Sequence, residues 1–393
     1  MPSEGFIPSY ESGTEWLRSG GQSSDVVMSS RVRLARNLAG WRFGHKAGHG
    51  DRQKVLEICR DRIAAAGLAN LGAPGGPTSA VPPAHTPDSP APPAQIMWID
   101  LRESPPIERQ LLVERHLISK QHAKGKPLPD LKSGDVETTD PRGVAIALPD
   151  ERLSIMVNEE DHLRIQAVRG GLALAEAWAD ADRADDLLES TLDFAYSPRF
   201  GYLTCCPTNV GTGVRMSLML HLPALKLSGD IEKVKRAAGD MNLAVRGFYG
   251  EGSDAAGDFY QVSNQTTLGK GEQTILGDLA DQIIPKVVEY ERMARRNLLA
   301  KRGAALEDQV YRALGLLTHA RLLTAEESMQ MLSHVRLGVV MGLVADVDLA
   351  SVNALMLLTQ PAHLQRVVGQ ELDQEQRRNA RAQLIRRRLL KAN

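Results

Sequence analysis

The stretch GVAIALPDERLSIMVNEEDHLRIQAVRG (residues 143–170) decides the fold class. It holds three short β-like runs, GVAIAL, LSIMV and LRIQAV, that follow one another closely. Strands this close in sequence pair antiparallel, because a parallel pair needs a crossover of about a dozen residues or more. Similar runs recur at GYLTC, VRMSLML, MNLAVRGF and FYQVSN, with helical segments at 171–189 and 229–239 between some of them. The pattern predicts an α+β domain, an antiparallel β-sheet flanked by helices, and not a doubly wound sheet.

Upstream, KVLEICRDRIAAAGLA (54–69) reads as an amphipathic helix, IMWIDL (96–101) as a strand and IERQLLVERHLIS (107–119) as a helix. Residues 71–95 are dominated by Pro, Gly, Ala and Ser and cannot bury enough apolar surface to order themselves, so a loop or linker is expected there. From about residue 272 the pattern turns helical and stays so to the end, where RRNARAQLIRRRLLK (377–391) is strongly basic.

The 393 residues suffice for two or three domains of roughly 100–200 residues each. Apolar residues make up 42%, enough for a sizeable core, and the net charge of −1 argues against a general polyanion binder, hence against direct nucleic-acid binding. The first residues carry no basic stretch followed by an apolar run, and no run of about 18 apolar residues occurs, so neither a signal peptide nor a membrane span is expected. Three cysteines without framework spacing fit a reducing cytoplasm.

Three features carry chemistry. In SSRVRLARN (29–37), Arg31 and Arg33 share one strand face while Val32 and Leu34 take the other. Arg164, Arg215 and Arg246 also sit in or beside apolar strands. Singly each reads as a surface arginine, but five on one sheet face are costly without an anion, and arginine suits phosphate. The second feature is VNEEDHLRIQ (157–166), where Glu159, Glu160 and Asp161 end an apolar strand; it reads as a solvated turn, a site for a cationic substrate, or a general base. A glycine-rich loop after Arg246 adds Glu251. The third is the pair Cys205–Cys206 before a Pro and a Gly-Thr-Gly turn. Zinc lacks partner ligands at suitable spacing, and a vicinal disulfide is strained. Two buried small side chains, or one reactive thiolate beside backbone N–H groups, remain. In a strand the two would point to opposite faces, leaving at most one at a site. Neither the G-x-x-x-x-G-K-[ST] loop nor the H-R-D and D-F-G pair is present.

Together SSRVRLARN, ERHLIS, NEEDHLRIQ, CPTNVGTGVR and VRGFYGEGSDAAGDFYQVSNQTTLG resemble the phosphagen (ATP:guanido) kinase family, most closely its bacterial branch acting on arginine in proteins. The resemblance spans about 25–290, and LTQPAHLQ with the tail extends it to the C-terminus. It implies an N-terminal segment (1–24), a catalytic domain (25–290, with the Pro-rich insertion 71–95) that binds ATP with Mg2+, and an all-helical C-terminal domain (291–393) that dimerises. Motif matching assigns Glu159, Glu160, Cys206 and Glu251 to catalysis. It assigns Ser29, Ser30, Arg31, Val32, Arg33, Arg164, Arg215, Met216, Ser217, Leu218, Met219, Arg246, Gly247, Phe248, Tyr249 and Gly250 to the nucleotide, with His116 beside the adenine. No protein metal ligand is implied. The family's C-terminal R-D-x-x-R-A motif, a phosphoarginine pocket, reads here as RRNARA: Arg377, Arg381 and Ala382 match, but Arg378 replaces the aspartate, which implies a grip on phosphate with weaker discrimination for the guanidinium. Implied partners are proteins with exposed or unfolded-region arginines, Clp-type protease and chaperone machinery, a stress-response repressor and an activator. Residues 71–95 and KQHAKGKPLPDLKSGDVETTDP (120–141) are insertions relative to the family, expected as surface loops. Alternatives are a kinase of free guanidines, disfavoured because only about two dozen residues precede the first motif, and an inactive phosphoarginine-binding module, disfavoured by the intact Glu159, Cys206 and Glu251 set.

Overall fold

The computed structural model describes residues 14–71, 94–130, 139–247 and 256–390. The close-spaced runs pair as antiparallel neighbours in an eight-stranded sheet. Its strands are β1 (Val27–Arg36), β2 (Gln95–Asp100), β3 (Gly143–Leu148), β4 (Leu153–Val157), β5 (Leu163–Gly170), β8 (Val214–His221), β9 (Leu243–Gly247) and β10 (Phe259–Asn264), in the order β2-β3-β4-β5-β1-β8-β10-β9. A separate ribbon joins β6 (Tyr196–Ser197) to β7 (Gly201–Tyr202).

β1 is central. Its Arg33 lies opposite Gln166 of β5 and Arg215 of β8, and its Arg31 lies opposite Val168 and Ser217. Alternation then divides the sheet into two unlike faces. Val32, Leu34, Ile165, Ala167, Met216 and Leu218 are fully buried in the main core, packed with helices His49–Ala65 and Leu174–Glu189. The other face presents Arg31, Arg33, Arg164, Arg215 and their polar neighbours to a cavity.

Three expectations about organisation change. The boundary expected at 290–291 lies within Ile284–His319, two helices joined across a kink at Arg302 (φ −142°, ψ 35°). Residues 14–24 pack onto the rest of the chain: Trp16 and Leu17 join Met28, Val168, Met219 and Phe259 of the sheet and the C-terminal helices in a second core. Nor is 120–141 simply a surface loop, since Lys120–Lys124 forms a short helix, and His122, Asp140 and Arg142 are buried. Of the Pro-rich segment, residues 72–93 lie outside the described residues.

Arg336, fully buried on helix Ala325–Val340, joins these parts. It donates to the carbonyls of Ser24 (2.6 Å) and Asp25 (3.1 Å), to Asn353 Oδ1 (3.2 Å) and to His221 Nδ1 (2.8 Å). Each buried acceptor left unpaired costs about 1–3 kcal/mol. Arg336→Met, which keeps the stem, is therefore expected to destabilise the protein by about 3 kcal/mol or more. Urea denaturation measures it, and a loss below about 1 kcal/mol would mean that water replaces the guanidinium.

Candidate active site

The polar sheet face, the loop after β4 and the segment after β7 enclose a cavity of about 460 Å³. One end is cationic. Arg31 donates to Gln261 Oε1 (2.9 Å) and Ser217 Oγ (3.4 Å), and Arg215 donates to Ser263 Oγ (3.3 Å). The partners of Arg31 are neutral. Desolvation and the charges of Arg215 and Arg164 depress the Arg31 pKa to about 10. Arg33 is pushed well below the ordinary arginine value by desolvation and by Arg31, Arg164 and Arg215, against a smaller opposing pull from Glu159, and among the described residues its buried Nε has no hydrogen-bond partner. Arginines crowded this closely suit a polyanion. Arg246 lines the same space.

The other end is anionic and nucleophilic. Glu159 is buried, accepts from Ser119 Oγ (2.7 Å) and the Glu160 N–H (2.6 Å), and pairs with Arg164 (2.9 Å). Burial alone would raise its pKa, but Arg164, the Ser119 hydroxyl and the Glu160 N–H outweigh that and hold it at about 2. Glu160 is more exposed, and burial with its acidic neighbours Asp161 and Glu159 raises its carboxyl. Cys206 lines the cavity with Sγ 2.9 Å from Thr208 Oγ1. Cys205 does not line it: its N–H donates to the buried Asp161 (2.6 Å), and burial together with Asp161 pushes its thiol up to about 12. The two cysteines occupy a bend after β7, so it is this Asp161 anchor, not strand alternation, that separates their roles.

Several assigned residues move. Val32, Met216 and Leu218 face the core, opposite the arginines, because each is one residue out of phase with them. Ser30 is also buried there, donating to the Gly171 carbonyl (2.8 Å) and accepting from the Ala173 N–H (3.0 Å), so its hydroxyl supports the following helix and not a phosphate. Ser29, Ser217 and Met219 lie on the site face, beside a small recess that His116 and Trp16 also line. His116 meets Trp16 edge-on at 4.8 Å, and desolvation with the Arg31 charge lowers it to about 3, an uncharged ring suited to an adenine. Gly247 ends β9, buried; Phe248, Tyr249, Gly250 and Glu251 lie outside the described residues. In the tail, Arg381 is buried, donating to the carbonyls of Thr359 (2.7 Å) and Leu323 (2.9 Å), and Arg377 donates to that of Leu372. Ala382 is fully buried, and Arg378 has a buried Nε without a hydrogen-bond partner. Arg377 and Arg381 thus each close backbone ends here.

Ser119, Gln166 and Gln261 escaped the sequence reading, and so did the anchoring of Cys205 by Asp161, which in sequence is only one of three adjacent carboxylates. Ser119 ends the quoted ERHLIS motif, and Gln166, in the strand register, donates to the His116 carbonyl (2.7 Å). Asp161 and Gln261 act across the fold and carry no local signal.

The comparisons with known proteins agree with this geometry. Residues 89–294 match the catalytic-domain model of ATP:guanido phosphotransferases, and the chain belongs to that family. Residues 303–393 match the C-terminal domain of protein-arginine kinase McsB, a match that begins just after the Arg302 kink. The chain's branch is the protein-arginine kinases: it is 42% identical over 376 residues to one from Symbiobacterium thermophilum and 41% identical over 377 residues to one from Halothermothrix orenii, covering 96% of each pair. Among solved structures, lombricine kinase shares the fold, with a TM-score of 0.53 and 22% identity over 74% of this chain and 72% of that one.

Proposed function

We propose that this chain transfers the γ-phosphoryl group of ATP to a guanidinium nitrogen of arginine side chains in proteins. The observation that carries the reading is one cavity lined by Arg31, Arg33, Arg215 and Arg246 together with ionised Glu159 and Cys206. Arg31, Arg33, Arg215 and Arg246 would hold the phosphate chain, and His116 with Trp16 and Ser29 the base. A guanidinium is a poor nucleophile, since its pKa exceeds about 12. Glu159 would clamp it and aim one nitrogen, and Cys206 would add negative polarity without being phosphorylated. That nitrogen attacks the γ-phosphorus, the bond to the ADP oxygen breaks, and the nitrogen's proton passes to a carboxylate. The protein supplies position and electrostatics. Mg2+ would neutralise phosphate charge when carried in by the nucleotide; among the described residues no group of three His, Cys, Asp or Glu offers it a separate hold.

The test incubates the protein with ATP and either an unfolded protein or free arginine. Acid-labile phosphoarginine in the protein and little on the free amino acid is expected; the reverse would make it a small-molecule kinase. A cytoplasmic homodimer working with Clp-type machinery, a repressor and an activator extends the reading. In its support, no helix among the described residues is long and apolar enough to cross a membrane, and Tyr290, Met293, Tyr311 and Leu316 are exposed along Ile284–His319.

Cys206→Ala is expected to lower kcat by about tenfold or more, and Cys205→Ala to leave most of it. Steady-state rates of the two folded variants decide this, and equal losses would refute the division of roles.

A further inference from the structure

Ser119, Lys120, Gln121 and Lys126 help to line the cavity. The Ser119 hydroxyl that donates to Glu159 also accepts from the His122 N–H (3.0 Å) and so starts the Lys120–Lys124 helix. Buried Arg142 closes that helix by donating to the carbonyls of His122 (2.7 Å) and Ala123 (3.0 Å). Asp140, fully buried and paired with Arg52 (2.7 Å), accepts from the Lys126 N–H (2.8 Å). The backbones of Lys120 and Lys126 are thus pinned from below, and both side chains line the cavity with Glu159, Glu160 and Cys206. The Lys126 charge reaches Glu160 and Cys205, yet among the described residues no ion pair engages its ammonium.

Two cations beside a guanidinium site are unexpected on charge grounds. They repel a bare guanidinium and attract a carboxylate that arrives with it. We propose that Lys120 and Lys126 set the sequence preference of this kinase, favouring arginines flanked by aspartate or glutamate, whose carboxylates pair with the lysines while Glu159 and Cys206 take the guanidinium. The proposal rests on the protein-arginine kinase reading. Each pairing is partly exposed, so two of them together are worth about three- to tenfold in kcat/KM.

The test uses the full chain with ATP and three peptides of equal length. Each holds one arginine, flanked by aspartates, by alanines or by lysines; free arginine is a fourth substrate. The expected order of kcat/KM is aspartate above alanine above lysine, with a spread that narrows as salt is raised. Lys120→Ala combined with Lys126→Ala should remove the advantage of the aspartate peptide, and Lys126→Glu should move the preference toward the lysine peptide. A merely structural role would lower all three peptides in proportion, and that result overturns the proposal. So does an equal rate on all peptides with the unaltered protein. Free arginine turned over as well as the aspartate peptide, with the same loss in the double variant, would assign the lysines to an α-carboxylate and overturn it too. If no peptide is phosphorylated while free arginine is, the protein-substrate reading falls first and this proposal with it.

Discussion

Glu159→Gln is expected to lower kcat by about 100-fold or more while leaving ATP affinity intact. The substitution keeps an acceptor for Ser119 and the local shape but removes the charge that orients the guanidinium. Because Arg164, Ser119 and the Glu160 N–H hold the carboxyl at about 2, it is ionised throughout any working pH, and the acid limb of the rate profile does not belong to it. The sign for stability follows. A carboxylate depressed below its unfolded value of about 4.3 contributes stability that is present above that pH and lost as pH falls through about 2. The stability difference between the parent protein and the variant should therefore vanish in strong acid. The variant also removes the Glu159 charge from Arg164 (2.9 Å) and leaves Glu160 (3.3 Å) as its counter-charge, so the cation is less neutralised. ATP binding should be equal or tighter by calorimetry. Weakened ATP binding with an unchanged kcat would sink the assignment.

Much of this site was legible because a strand's period of two is local. The three runs of 143–170 became β3, β4 and β5, and the expected partition of Arg31 and Arg33 from Val32 and Leu34 holds in β1. The same rule removes Val32, Met216 and Leu218, since contiguous stretches from a strand cannot all face one ligand. Side-chain contacts between distant residues were not legible. Asp161 fixes Cys205 from 44 residues away, Asp140 holds Arg52 from 88, and Arg336 reaches Ser24 across 312. Each is a buried polar group whose partner is set by tertiary packing, so no periodicity announces it. The described part of the insertion, residues 120–130 and 139–141, was misread for the same reason: its composition is that of a solvated loop, and its order comes from Arg142, Asp140 and Ser119.

Arg33→Met is expected to move stability and binding in opposite directions. Arg33 sits between Arg31, Arg164 and Arg215, with a buried Nε that no group among the described residues satisfies. In the nucleotide-free protein its charge is repelled and desolvated, which is why its pKa falls well below the ordinary arginine value. A base with a depressed folded pKa destabilises the fold while it is protonated, so replacing it with an apolar stem of similar reach should raise the melting temperature without ATP. The same substitution deletes charge-assisted bonds to the phosphate chain, each worth about 1.5–3 kcal/mol, so ATP affinity should fall about 10- to 150-fold. Melting curves with and without Mg-ATP read both effects. A ligand that binds only the folded state raises the melting temperature by mass action. The parent protein should show a large upward shift with nucleotide; the variant should start higher and shift little. A variant that starts lower and keeps the full shift would show that Arg33 is a structural cation with a partner elsewhere, and the arginine face would lose its central member as a phosphate site.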